Sequence, residues 1–205
     1  MIPVRKAPPL LFGLIASISV LALNSFAVDR DKKKFTPPDL DSLQAKQTVG
    51  EVTIGAIPYE GEEESATAFG KIFPYERGVL PILVIVRNQS KGAIRLQGMK
   101  VEYRDKDRQS LDPIPPAEVP FVEPPQRPTF GGPSIPGLNR KKKNPLAGPE
   151  IEIRAFSAKM LPPGETAHGF FYFRTGHRSG ASLYISGLQE AATDRDLFFF
   201  EIPLD

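Results

Sequence analysis

The sequence predicts an all-β fold, an antiparallel β-sandwich of about eight strands that is interrupted by a long proline-rich insertion. Three observations support this class. Short segments in which apolar and polar residues alternate recur along the chain, and a period of two is typical of strands that bury one face. Turn residues separate these segments. No segment has the periodicity and length of a long amphipathic helix.

The clearest alternating segment is Met99–Arg104, in which Met99, Val101 and Tyr103 share one side and charged residues the other. The remaining strands are predicted, in chain order, at Glu51–Ile57, Ala66–Phe73, Val79–Val86, Glu150–Arg154, Ala167–Arg174, Ser182–Ser186 and Leu197–Ile202. This number and spacing of strands favours an immunoglobulin-like sandwich. Because the chain has no cysteine and no tryptophan, it must lack the disulfide and tryptophan of antibody domains.

One predicted strand, Val79–Val86, is apolar throughout (VLPILVIV), which indicates a strand that is covered on both faces. The partner sheet can cover one face only. We expect the insertion to cover the other, while the segment Asp29–Thr48 and a second molecule remain alternatives. The apolar residues with which the insertion would do so are Phe121, Val122, Phe130, Ile135 and Leu138.

The chain is predicted to consist of a signal peptide, an arm and one domain. Residues 1–27 combine a basic start, an apolar stretch and the small-residue pattern Ser25-Phe26-Ala27, which predicts cleavage before Val28. An uncleaved anchor is the alternative. Residues 28–48 are polar and predict a linker or mobile arm. Residues 49–205 are expected to form the sandwich, with the proline-rich, basic insertion at about 111–149.

Composition excludes several classes of protein. Loss of Arg5 and Lys6 with the signal peptide would leave the mature chain with equal numbers of basic and acidic residues, 24 of each. Global charge therefore gives no reason to expect nucleic-acid binding. The absence of cysteine excludes disulfides, thiolate metal sites, cysteine nucleophiles and a lipid anchor on cysteine.

Candidate catalytic residues are few, because His168 and His177 are the only histidines and neither stands in a ligand-spaced motif. We interpret both as surface or capping residues. The acidic stretches around Glu60–Glu64 and Asp105–Asp107 are interpreted as solvated turns rather than calcium loops. No catalytic, cofactor-binding or metal-binding residue is predicted. Clustering of the histidines with the acidic turns in one cleft would instead favour a hydrolase with a spatially assembled site.

Two further features suggest contact with a partner. Four adjacent cations in the insertion, Arg140, Lys141, Lys142 and Lys143, are flanked by turn residues and are possible partner-binding residues. A solvated loop is an equally good interpretation. Aromatic residues at Phe170–Phe173 and Phe198–Phe200 predict either a partner face or, preferably, a core with two sides. The sequon at Asn88 is interpreted as a turn between strands.

Three segments carry a resemblance to a known kind of domain. In Gly78–Asn88 an apolar strand ends in asparagine, in Met99–Asp105 a strand ends in a polar turn, and in Leu161–Thr166 a Pro-Pro-Gly turn precedes a later strand. In these features Val49–Ile202 resembles exported bacterial immunoglobulin-like domains of the FxLYD and telokin-like kind. The resemblance implies an accessory or binding module that brings no catalytic residues.

These observations together predict an exported, non-enzymatic binding or accessory protein of the cell envelope, periplasmic or extracellular. Its expected partner is an unknown protein or an anionic envelope polymer, and not nucleic acid. No cofactor is expected, and no stable membrane span after cleavage. The alternatives are the hydrolase described above and a membrane-tethered periplasmic domain that retains its N-terminal segment.

Overall fold

The structure, a computed structural model, describes residues 35–123, 144 and 146–205. Two α-helices lie within these ranges, α1 (Glu62–Phe69) and α2 (Pro149–Arg154), with short 3-10 helices at Leu40–Ser42, Tyr75–Arg77 and Pro116–Phe121. None of the helices in these ranges is long and apolar enough to cross a membrane. The strands are β1 (Lys46–Val49), β2 (Val52–Pro58), β3 (Leu80–Asn88), β4 (Ile94–Arg95), β5 (Lys100–Arg104), β6 (Ser110–Leu111), β7 (Met160–Leu161), β8 (Thr166–Phe173), β9 (Ser182–Ser186), β10 (Gln189–Glu190) and β11 (Phe200–Pro203).

The strands form two four-stranded sheets and one small sheet, all with antiparallel pairing. Sheet 1 has the order β1-β2-β3-β8, sheet 2 the order β11-β9-β5-β6, and the small sheet the order β10-β4-β7. Strands β2, β3 and β8 occupy the places of strands A, B and E of an immunoglobulin domain, and β5, β9 and β11 those of C, F and G. The predicted all-β, immunoglobulin-like sandwich is confirmed.

An inner core lies between sheets 1 and 2 and follows from the alternation of the strands. Each strand sends every second residue inward, so that Val101 and Tyr103 of β5 meet the inward side of β3. The other inward residues include Leu80, Ile82, Val84, Val86, Leu183, Ile185, Phe200 and Ile202, all of them buried. Burial of these side chains is the main force that holds the two sheets together.

An outer core lies on the opposite face of sheet 1. Leu83 and Ile85 of β3 point there and are buried, as the apolar run in this strand predicts. Burial, with a smaller contribution from Glu64, raises the pKa of Tyr59, another member, to about 12. The residues that cover this face come from three places: Phe35 and Leu40 near the start of the described chain, Ala68 and Phe69 of α1, and Val119, Leu146 and Ile151 of the insertion and of α2, which follows it.

The insertion thus contributes to the cover, and of the residues expected to do so Val122 takes part whereas Phe121 does not. Phe121 is 80% exposed, and Val122 is partly buried against the outer core. The expected contributions of Phe130, Ile135 and Leu138 lie outside the described residues. Among the described residues of the insertion, Val119 lies in the 3-10 helix Pro116–Phe121 and Leu146 precedes α2, and both are buried in the outer core.

The prediction of a linker or mobile arm is wrong for its described part, Phe35–Thr48. Leu40 is 1% exposed, and β1 pairs along its length with β2. The cause is Gly55 on β2, where a Cβ atom would lie 2.5 Å from Leu40 and 2.8 Å from Leu43. Because Gly55 has no side chain, Leu40 and Leu43 of this otherwise polar segment can pack against β2.

Two predicted strands are helices. The first half of the segment Ala66–Phe73 belongs to α1, which ends at Phe69. The acidic residues Glu62–Glu64, interpreted from the sequence as a solvated turn, form the first turn of this helix, where acidic side chains are favourable. The segment Glu150–Arg154 is α2, which begins with proline at its first position, where proline is favoured. Alternation over five residues was too short to distinguish a strand from a helix.

The long edges of the sandwich are covered. On the free edge of β8, Ile114 N–H donates to the Tyr172 carbonyl at 2.8 Å, and Phe156 N–H to the Phe170 carbonyl at 3.1 Å. At the other side of the molecule, the Gln47 side-chain oxygen accepts a hydrogen bond from Glu201 N–H of β11 at 2.6 Å. These contacts satisfy backbone groups that would otherwise be free to pair with another chain.

Candidate functional site

The solvent face of sheet 2 carries a connected set of aromatic and charged side chains. Tyr184 of β9 lies at its centre, with Glu102 of β5 and Glu201 of β11 as its register partners on either side. We call this surface the Tyr184 face. Its members are the outward residues of three strands and one residue that precedes β11: Lys100, Glu102, Arg104, Ser182, Tyr184, Ser186, Phe199, Glu201 and Pro203.

A stack of three side chains crosses this face diagonally. The rings of Tyr184 and Phe199 have centroids 5.2 Å apart and planes inclined by 26°. The guanidinium carbon of Arg104 lies 3.5 Å from the centroid of the Tyr184 ring, a cation–π contact. The order of contacts is therefore Phe199, Tyr184 and Arg104, which joins β11 to β5 across β9.

The carboxylate of Glu102 holds the arginine of the stack in place. Arg104 donates from Nε and Nη2 to Glu102 Oε2 at 3.2 and 2.9 Å. Ser110 Oγ of β6 donates to the same oxygen at 2.5 Å. These bonds, first that of Ser110 and then that of Arg104, lower the pKa of Glu102 below its ordinary value. The guanidinium is therefore fixed before any partner arrives.

Apolar area is exposed on this face at Phe199 and next to it in the chain at Phe198. Phe198 is 78% exposed and Phe199 49% exposed. Aromatic residues and arginine are the types enriched at the centre of protein interfaces, where they lose little conformational entropy on binding. A rigid stack with exposed phenylalanine at one end has the composition of a contact surface.

A second polar cluster surrounds His177 at one end of the sandwich. Its Nε2 atom lies 3.6 Å from Asp205 Oδ1 and 3.9 Å from Glu60 Oε1. Its backbone N–H donates to Tyr75 Oη at 3.3 Å, and burial, followed by a hydrogen bond with Glu60, raises the pKa of Tyr75. The Nδ1 atom is buried and has no hydrogen-bond partner among the described residues. Neither ring nitrogen contacts a described hydroxyl that it could activate as a nucleophile.

The other histidine, His168, is not part of the cluster around His177. His168 lies on β8 in register with Ile85, and its ring centroid is 6.3 Å from that of Phe35. Burial, with a smaller effect of the Arg154 charge, lowers its pKa. The two histidines share no contact, so the structure does not gather them in one cleft. Within residues 35–123, 144 and 146–205, no group of three or more acidic or histidine side chains is arranged to hold a metal ion.

The turn at Asp105–Asp107 differs from its interpretation as a solvated turn. Asp105 was expected to be solvated but is 8% exposed, and its Oδ1 atom accepts hydrogen bonds from Asp107 N–H and Gln109 N–H at 3.0 and 2.9 Å. Its other oxygen accepts from Arg178 at 3.1 Å. The carboxylate replaces water as the partner of a tight turn, which explains its burial.

Asn88 is fully buried, and its side-chain amide donates to the carbonyls of Gly92, Leu161 and Pro162. Its side-chain oxygen accepts from Ser90. The interpretation of the sequon as a turn is consistent with these bonds, because the amide that a glycan would need is engaged inside the protein.

The aromatic residues divide between core and surface. Phe170 and Tyr172 are buried in the outer core and Phe173 in the inner core, as expected of a strand with two buried faces. Phe198 and Phe199 are the exposed ones. Sequence reasoning missed Tyr184, Glu102 and Arg104 as a group, because only the register of β5 against β9 brings them together.

The basic run Arg140, Lys141, Lys142 and Lys143 lies outside the described residues. Its predicted role in partner binding remains a prediction.

Comparisons with known proteins give similarity at the level of structure. No protein-family model and no curated protein sequence matches the chain. The chain is similar to the YjhA protein of Bacillus subtilis, with 13% identity and a TM-score of 0.39, over 80% of this chain and 98% of that one. It is also similar to MPT63, a secreted protein of Mycobacterium tuberculosis, with 16% identity and a TM-score of 0.35, over 80% of this chain and 95% of that one. At these values neither similarity bears on function.

Proposed function

We propose that this chain is an exported, non-enzymatic binding protein of the cell envelope, and that its contact surface for a partner protein is the Tyr184 face. The observation that carries the proposal is the exposed stack of Phe199, Tyr184 and Arg104, with Arg104 fixed by Glu102. A binding surface is most effective when its anchor side chains are already ordered, because less entropy is lost on association.

The charges of the face favour a protein over an anionic polymer. Lys100 and Arg104 are balanced by Glu102 and Glu201, and the charge of Arg104 is already paired. A polyanion would need an excess of cations, whereas a protein surface offers both signs. The anionic envelope polymer remains the second candidate, and the feature that favours it is the basic run Arg140–Lys143.

The hydrolase alternative has weaker support. A histidine that serves as a general base needs a hydrogen bond to the nucleophile or to water at a reachable position. His177 instead directs Nε2 toward two carboxylates and buries Nδ1. Its surroundings suit a structural residue that joins the loop after β8 to neighbouring chain segments.

Export rests on the pattern of residues 1–27, and intact mass spectrometry of the protein recovered from the envelope tests it. The expected mass is that of a chain that begins at Val28. A mass that still includes Met1 to Ala27 would instead mean an anchored protein.

Site-specific photo-crosslinking tests the contact surface. A benzophenone amino acid in place of Phe199 should crosslink one discrete protein in cells, and Arg104→Glu in the same chain should abolish the product. Ile153 on α2 is the matched control position, since it is 63% exposed and lies away from sheet 2. The same product from position 153, or no product from position 199, would contradict the proposal. Loss of binding only when Arg140–Lys143 is replaced by Gly-Ser repeats would point to the polymer.

A further inference from the structure

A pocket of about 250 Å³ lies at the end of the sandwich where the β1–β2 turn, the β3–β4 loop and the segment after β10 meet. We call it the hairpin pocket. Its base is apolar, since Val52, Ile94 and Leu197 line it. Pockets for drug-sized ligands occupy about 300–1,000 Å³, so this volume suits a smaller molecule. The pocket is separate from the Tyr184 face and from the His177 cluster, and neither proposal above uses it.

One wall of the pocket is fixed by a buried side chain. Ser90 and Gly92 line it, and both are held by Asn88, which is fully buried. Ser90 N–H and Oγ donate to Asn88 Oδ1 at 3.0 and 2.6 Å, and Asn88 Nδ2 donates to the Gly92 carbonyl at 2.8 Å. The loop that carries Lys91 is therefore ordered without a ligand, which lowers the cost of binding one.

Four charged residues line the pocket, and they differ in whether they are paired. Arg195 Nη2 lies 3.3 Å from Glu190 Oε2, so that pair is neutral. The side chains of Glu51, in the turn between β1 and β2, and Lys91 make no hydrogen bond or ion pair with another described residue. One free anion and one free cation thus border an apolar cavity.

We propose that the hairpin pocket binds a small zwitterion with an apolar side chain, either a free amino acid or a short peptide with both termini uncapped. Lys91 would bind the ligand carboxylate and Glu51 its ammonium group, while the apolar side chain lies on Val52, Ile94 and Leu197. A ligand with both charges satisfies both free groups, whereas a simple anion or cation satisfies only one.

Nuclear magnetic resonance titration of the purified exported protein tests the proposal, with the amide signals of Ser90 and Gly92 as the readout. The probes are leucine, the dipeptide alanyl-leucine and N-acetyl-leucinamide, which keeps the side chain of leucine but carries no charge. Saturable shifts are expected with leucine or the dipeptide and not with the capped compound. The response to leucine against that to the dipeptide distinguishes a free amino acid from a peptide as the source.

Variants show whether the two charges are responsible. Lys91→Gln and Glu51→Gln should each weaken binding about fivefold or more, since each removes one charge-assisted contact. Lys106→Gln, in the turn after β5, is the matched control and should bind as the parent does. Equal binding of the capped compound, unchanged affinity in both charge variants, or no shift with any probe would overturn the proposal.

Discussion

The two sheets of this sandwich treat their outward faces in opposite ways. The outward face of sheet 1 is buried beneath helices and turns, and Leu83 and Ile85 of β3 are almost fully removed from solvent. The outward face of sheet 2 is open, and Tyr184 at its centre is only partly covered by its own neighbours. Described residues between β6 and β8, among them Val119 and Ile151, cover the outward face of sheet 1, whereas the outward face of sheet 2 stays open.

The difference follows from the strands at the centre of each sheet. Strand β3 is apolar on both sides, and an exposed apolar face of that size would drive aggregation, so it requires a cover. Strands β5 and β9 alternate, and their outward residues are charged or amphipathic. A face that needs no cover is available for a partner. The comparison therefore supports the proposal that the Tyr184 face of sheet 2 is the contact surface.

The largest expected effect comes from removing the cover of sheet 1. Ile151→Ala on α2 should lower the free energy of unfolding by about 3 kcal/mol, because the side chain is fully buried in the outer core and leaves a cavity. Ile153→Ala, two residues on, should change it by less than about 0.5 kcal/mol, since Ile153 is 63% exposed. Chemical denaturation of both variants makes the comparison. Equal losses would mean that the segment is a strand with both isoleucines on one face.

A smaller effect is expected where the segment that follows α2 packs on the edge of sheet 1. A Cβ atom at Gly169 would lie 2.4 Å from Phe156 Cα and 2.6 Å from Phe156 N. Backbone atoms cannot move aside as a side chain can, so Gly169→Ala should cost about 2 kcal/mol.

Gly176→Ala is the control for this change, because its Cβ would meet only Tyr75 Oη at 3.8 Å. Hydrogen exchange should show faster opening of the Phe156 N–H in Gly169→Ala and not in the control. Unchanged protection in Gly169→Ala would mean that the segment after α2 does not depend on this close approach.

The sequence predicted the difference between the faces better than it predicted what covers sheet 1. The apolar run at Val79–Val86 indicated two buried faces, and the alternation at Met99–Arg104 indicated one. Helix α2 was missed because Ile151 and Ile153 alternate with acidic residues as a strand does, although Pro149 marked a helix start. Local patterns over five residues could not decide between them.

The candidate site was less predictable than the fold. Glu102 and Arg104 were visible as the polar side of a strand, but their relation to Tyr184 depends on a register between segments about 80 residues apart. Phe199 joins them because it precedes the inward-facing Phe200 of β11, which pairs with β9. Such non-local contacts are set by the whole fold rather than by spacing along the chain.

We expect the outward face of sheet 2 to tolerate substitutions that the outward face of sheet 1 would not. The double variant Phe198→Ser, Phe199→Ser should change the free energy of unfolding by less than about 1 kcal/mol, since Phe198 is mostly exposed and Phe199 is about half exposed. It should also bind less of a hydrophobic dye than the parent protein. A large loss of stability would mean that these residues hold the fold together and are not reserved for a partner.

The smallest effect concerns the carboxylate that fixes the stack. In the folded protein the pKa of Glu102 is lowered from its ordinary value of 4.5, first by the hydrogen bond from Ser110 and then by Arg104. A lowered pKa means that the folded state prefers the ionised carboxylate. The stabilisation is therefore present above pH 4.5 and is lost as the pH falls through the lowered pKa.

Replacement of the carboxylate should remove this dependence. Glu102→Gln should be less stable than the parent by about 0.5 kcal/mol at neutral pH, a typical value for an ion pair that is partly exposed. The difference between the two thermal melting curves should shrink as the solution is acidified below pH 4.5, because the parent then loses the charge that the variant never had. Ser110→Ala removes the first cause of the lowered pKa of Glu102. In this background the stability difference caused by Glu102→Gln should therefore be smaller, and the outer core of sheet 1 should be unchanged. If the difference in stability between the parent and Glu102→Gln stays constant down to strongly acidic pH, Glu102 is not held by these contacts. The proposal that the Tyr184 face is ordered before a partner binds would then be wrong.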